Sequence, residues 1–128
     1  MMEIVYTLLS GKKLDRKSFI SYLSGKISKT AKKFGIKDRT NKVYCLDDAV
    51  IDVIYGLMEN KEARLKKSAF LYCLKKELEI FARLKGIKFD FIEYRGLKLK
   101  IREMLDELEK KHLEIKYSIM AAHSQLNR

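Results

Sequence analysis

GLKLKIREMLDELEKKHLEIKYSIMAAHSQL, residues 96–126, decides how this chain is read. Leu97, Ile101, Met104, Leu105 and Leu108 recur at helical spacing and predict one apolar stripe. Lys98, Lys100, Arg102, Glu103, Glu107, Lys110 and Lys111 fill the remaining surface. Glu107 and Lys111 are an i,i+4 pair in the favourable order. A second apolar set, Ile115, Ile119, Ala122 and Leu126, continues beyond His112. The stretch therefore predicts a surface helix followed by a shorter terminal one, both needing something to pack on.

Upstream, the same periodicity recurs. Ile4 to Leu9 is apolar and fits a strand or a helical turn, with Gly11 ending it. Asp15 is placed to cap a helix whose face is Phe19, Tyr22, Leu23, Ile27, Thr30, Ala31 and Phe34, closed by Gly35. Gly25 weakens its middle by up to ~1 kcal/mol and allows a division into two helices. Asp47 reads as the N-cap of a helix carrying Val50, Val53, Ile54, Leu57 and Met58. Ile51 and Tyr55 widen that face, which marks the helix as central. Lys61 to Lys67 opens a further helical segment, with Leu71, Leu74, Leu78, Phe81 and Ala82 continuing it to Gly86. Ile87, Phe89 and Phe91 alternate with Lys88 and Asp90 as a half-buried strand does. Val43 to Cys45 fits a second short strand. The expected fold is one compact, mostly α domain with one or two short strands.

Composition narrows the class. The chain has 128 residues, no proline, 28 Lys or Arg and 17 Asp or Glu. No apolar run approaches the roughly 20 residues of a membrane span, so no membrane partner is expected. The start, MMEIVYTLLSGKK, lacks the basic residues and cleavage site of a signal peptide. Two isolated cysteines, Cys45 and Cys73, are no disulfide framework, and a reducing, cytoplasmic setting is expected. Many Lys and Glu with one glutamine, Gln125, resemble thermophile usage.

Residues 1–42 hold eleven Lys or Arg against three acids, and the rest is nearly balanced. A basic end on a balanced body suits a polyanion. Lys26, Lys29, Lys32 and Lys33 lie on the polar side of their helix as a basic ridge. Lys37, Arg39 and Lys42 extend it through the following loop. Tyr22 and Tyr44 fit base stacking or a core place.

Familiar catalytic patterns are missing. Ser10-Gly11-Lys12-Lys13 and Ser24-Gly25-Lys26-Ile27 lack the spacing that converges backbone N–H groups on phosphate. His112 and His123 come without CxxC or HxxxH, so both read as surface residues and no metal is expected. No Ser/His/Asp or Cys/His set assembles. Asp48 and Asp52 stand four apart, but capping and dipole roles fit Asp47 and Asp48 better than a cation site.

At this point a resemblance enters. ISKTAKKFG at residues 27–35 looks like the LNKKAxELG segment of the PP-loop ATPases that thiolate tRNA, the archaeal two-thiouridine and two-thiocytidine synthetase type. VYCLDDAVIDVIYGLMENKEARLKK at 43–67 is similar to their GHNLDDEAQxxLMNFLRGDxERLAR, without gaps from Leu46. CLKKELEIFARLKGIKFDF at 73–91 and the tail at 97–126 resemble the segments that follow, including LRxKIRExLNELEEKHPGIKYSILRSYEKL. Residues 26–128 thus resemble the C-terminal part of those enzymes, and residues 1–25 match poorly.

The departures matter as much. The SGGKDS loop that holds ATP in that family is absent, and its first zinc cysteines fall near Arg16 and Phe19. Its second zinc cluster would lie past Arg128. Of its ECPY element only Glu93 and Tyr94 remain, and its HPG turn has Leu113 in place of proline. Asp47 and Asp48 are the carboxylates retained from its nucleotide side. The resemblance implies a degenerate relative, without cofactor, that acts as a non-catalytic tRNA-binding or accessory module. Its partner would be tRNA or another nucleic acid, a full-length PP-loop relative, or a second copy of itself. The alternative is a protein–protein module using Ile115, Ile119 and Leu126. A third possibility is a residual ATP-dependent tRNA-modifying enzyme built on Asp47 and Asp48, which lack the phosphate cradle such chemistry needs.

Overall fold

A computed structural model describes residues 3–37 and 41–126. Among them are five helices and four short strands. Strands β1 (Ile4–Thr7) and β2 (Lys13–Asp15) form an antiparallel hairpin. Gly11 turns it with a φ of 90° that a side chain would resist. Asp15 ends β2 and caps α1 (Arg16–Phe34) by accepting the Ser18 N–H at 2.8 Å. Gly35, at φ 65°, closes that helix in the left-handed conformation. Helix α1 runs unbroken through Gly25, which is exposed and has open space around it.

After α1 come β3 (Lys42–Val43) and α2 (Leu46–Met58). The N-cap of α2 is Cys45, not Asp47. Asp48, at the third helical position, accepts the Cys45 N–H at 2.7 Å and satisfies a donor that the helix leaves open. Asp47 is thereby freed to point elsewhere. Residues 61–68 are not helical, contrary to their periodicity. Gly56 explains why. A Cβ there would meet the Lys61 carbonyl oxygen at 2.8 Å, and the Lys61 N–H donates to the Gly56 carbonyl at 2.7 Å. The chain therefore folds back across the end of α2 and leaves it extended. Gly56→Ala removes that room. We expect a net loss of about 1–2 kcal/mol despite the gain in helix propensity, measured by urea unfolding; a stabilised variant would refute this account of the turn.

Helix α3 (Lys75–Lys85) starts after Leu71 and Leu74, which pack from the preceding turns. Strand β4 (Asp90–Phe91) pairs parallel with β3, Lys42 opposite Asp90 and Val43 opposite Phe91. Helices α4 (Gly96–Lys111) and α5 (Ile115–Leu126) follow, separated by a break at His112–Glu114.

Two apolar clusters form the core. Phe19, Leu23, Ile27 and Ala31 of α1 meet Cys73, Leu78 and Phe81. Leu46, Val50 and Ile51 of α2 meet Leu74, Ile101, Leu105 and Met120. The Leu46 N–H donates to the Cys73 carbonyl at 2.9 Å and ties the two clusters together. Helix α2 is central, as its wide apolar face predicts. The tail helices are used differently from their pattern. Helix α4 buries Ile101 and Leu105 but leaves Leu97, Met104 and Leu108 exposed. Helix α5 buries Met120 together with Lys116, while Leu126 is 83% exposed.

Candidate nucleic-acid interface

The basic ridge divides in two. Lys29 and Lys32 are exposed on α1. Lys26 instead turns inward, its ammonium 3.1 Å from the Tyr117 hydroxyl, 3.2 Å from that of Tyr22 and 3.6 Å from the Glu77 carboxylate. Burial is the largest single influence and would lower its pKa, but Glu77, Tyr117 and Tyr22 together outweigh it and hold it above the ordinary lysine value. Lys33 donates to the Tyr72 hydroxyl at 3.1 Å and lies over that ring, 5.1 Å from its centre. Phe34 stacks with Tyr72, ring centroids 6.3 Å apart, and Lys33 lies over the Phe34 ring too, at 5.7 Å.

The chain leaves α1 through Gly35, and Ile36 lines an open cleft of about 550 Å³. Val43, Tyr44, Phe70, Phe91 and Ile92 supply most of its apolar wall. Lys42, Lys66 and Lys67 stand on it, with Asp90 as its acidic member. Lys66 lies 5.6 Å above the Tyr44 ring. Lys37 is exposed next to Ile36, and Arg39 lies outside the described residues. Sequence reasoning missed Lys66 and Lys67, because it placed them on a helix rather than on an extended segment beside β3. Tyr44 is buried and donates to Asp52 at 2.6 Å, so it belongs to the wall and presents no open stacking face. Tyr22 is half-buried and bonded to Glu77 at 3.3 Å.

Asp47 and Asp48 are structural in their contacts. Asp47 accepts from the Lys75 N–H at 2.7 Å and the Lys116 ammonium at 2.6 Å. Asp48 accepts from the Cys45 N–H and from the Tyr94 hydroxyl at 2.6 Å. Burial raises the Asp48 pKa even against these donors. Both thiols are buried; burial pushes Cys73 up to about 12 and Cys45 higher still. Neither is poised as a nucleophile. Among the described residues, no three His, Cys, Asp or Glu side chains are grouped to hold a metal ion. His112 is exposed at the end of α4, and His123 is half-buried on α5. Of the apolar residues of α5, Ile115 is half-buried, Ile119 packs on the α2 core and Leu126 stands in solvent. Among the described residues, no helix is long and apolar enough to cross a membrane.

No family model, curated protein or solved structure matches the chain.

Proposed function

We propose that this chain is a non-catalytic nucleic-acid-binding module, with tRNA as the polyanion its sequence resemblance favours. The observation that carries this is the placement of Lys42, Lys66 and Lys67 on one open, largely apolar cleft. Exposed Lys29, Lys32 and Lys37 lie along the segment that leads into it. Lysines near a strand of phosphates displace condensed counterions, and that release drives sequence-independent binding. The apolar wall favours a strand whose bases are not all stacked in a duplex. Descent from a tRNA-thiolating PP-loop enzyme is part of the same proposal. It rests on the motif order at residues 27–35, 43–67, 73–91 and 97–126. The possibility of a residual enzyme on Asp47 and Asp48 is disfavoured, because both carboxylates are buried and spend their oxygens on the fold.

Filter binding of unmodified tRNA across a salt series tests it. With ~4 phosphate contacts, log affinity against log salt should have a slope of about −3 on single-stranded segments. Changing Lys29, Lys32, Lys66 and Lys67 together to Glu should remove binding and leave the thermal midpoint nearly unchanged, because exposed charges contribute little to folding. Equal retention of both proteins would remove this cleft from consideration.

A further inference from the structure

The fold leaves one flank of α4 uncovered. Leu97, Met104 and Leu108 are 38%, 46% and 39% exposed, whereas Ile101 and Leu105 are buried. Leu97, Ile101, Met104 and Leu108 are spaced four, three and four apart, the d-a-d-a order of a heptad seam. In that register Lys100 and Glu107 both take the g position, on the solvent side of the seam, and both are exposed. The opposite side is already used: Leu105 is in the core, and Lys98 pairs with Asp52 at 3.2 Å.

We infer that α4 is the contact helix of a two-fold homodimer in which the two seams run antiparallel. Antiparallel seams set each a position against a d position. Leu97 of one copy then meets Leu108 of the other, and the two Met104 side chains flank the two-fold axis, while Ile101 stays in the core of its own copy. The same register brings Lys100 of one copy to Glu107 of the other, twice per dimer. A parallel arrangement has no such match, because Lys100 would face the buried Leu105. The surface is therefore complementary to itself in one orientation, which is what a closed two-fold interface requires. Glu107 now bonds Lys110 at 2.9 Å, with both side chains at least 70% exposed. Such a pair contributes little in water and exchanges at small cost. Two Leu97–Leu108 layers with the Met104 pair between them make a small interface, so the dimer forms at high protein concentration.

Sedimentation equilibrium of the full chain, from about 10 μM to about 1 mM, reads the dissociation constant. The wild type should show a monomer–dimer equilibrium within that range. Leu108→Glu should weaken it at least tenfold. Lys100→Glu should weaken it too, by setting Glu against Glu107, and the double variant Lys100→Glu/Glu107→Lys should restore it. Both charged positions are exposed, so these two variants carry the test even if Leu108→Glu disturbs the fold. A wild type that stays monomeric at the top concentration overturns the inference. So does a dimer indifferent to Lys100→Glu, or one that the double variant fails to rescue.

Discussion

Replacing Lys116 with methionine should lower the unfolding free energy by about 3–5 kcal/mol, the usual consequence of breaking a buried ion pair on one side. The Lys116 side chain is 3% exposed and reaches three carboxylates: Asp47 at 2.6 Å, Asp106 at 2.8 Å and Glu109 at 3.3 Å. Without the ammonium, Asp47 keeps only the Lys75 N–H and Glu109 only the distant Lys76 at 3.8 Å, and Glu109 Oε2 has no hydrogen-bond partner among the described residues. Urea unfolding should show a lower midpoint with an unchanged slope. Adding Asp47→Asn should recover part of the loss. A loss below ~1 kcal/mol would mean that the carboxylates rehydrate freely, as surface pairs do.

The pH dependence has a definite sign. Burial by itself would lower the Lys116 pKa, but Asp47 and Asp106 outweigh it and raise it above 10.5. The stabilisation is then complete below pH 10.5 and is lost as pH rises through the higher folded value. Tyr6, Tyr44, Tyr94 and Tyr117, whose pKa values burial also raises, destabilise the fold at alkaline pH as well. They do so equally in both proteins. The difference between wild type and Lys116→Met should therefore shrink above pH 10.5, and a difference that stays constant there would contradict the assignment.

Glu77→Ala should be the other severe change, also about 3–5 kcal/mol. Glu77 is 1% exposed and accepts the Leu74 N–H at 2.9 Å, opening α3. It also takes the Tyr22 hydroxyl at 3.3 Å and faces the Lys26 ammonium. Alanine strands the Leu74 N–H and the Tyr22 hydroxyl and leaves the Lys26 ammonium with hydroxyl partners but no counter-charge. Glu77→Gln keeps the shape and one oxygen but not the charge, so it should cost less than alanine. If alanine costs no more than an ordinary cap, ~1 kcal/mol, the charge of Glu77 has no part in holding Lys26.

These two lysines mark where the sequence stops being legible. The bounds of α1 follow from Asp15 and Gly35, because capping is local chemistry. The central place of α2 follows from its apolar face. Lys26 and Lys116 look like surface residues at helical spacing, and both are held inside by groups far along the chain. Tyr117 is 91 residues from Lys26, and Asp47 is 69 from Lys116. The parallel pairing of β3 with β4 is equally non-local, and two-residue strands carry no periodicity to announce it. Residues 61–68 failed for the opposite reason. Their helical pattern is real, but the contact at Gly56 overrides it. The cleft was half legible: Lys42 stood out in the basic end, whereas Lys66 and Lys67 joined it only through that folded-back segment.

The Asp47 carboxylate joins the start of α3, 28 residues away, to α5, 69 residues away. Closing a 69-residue loop costs about 4 kcal/mol in chain entropy, so the Lys116 contact is expected to form late in folding, after α2 has its neighbours. A contact absent from the transition state governs escape from the native state, not arrival at it. Loss of Lys116 should thus leave the refolding rate almost untouched and accelerate unfolding by nearly the whole free-energy change. If that is the outcome, the lifetime of the native fold is set at α5, by how long one ammonium keeps hold of a carboxylate from α2.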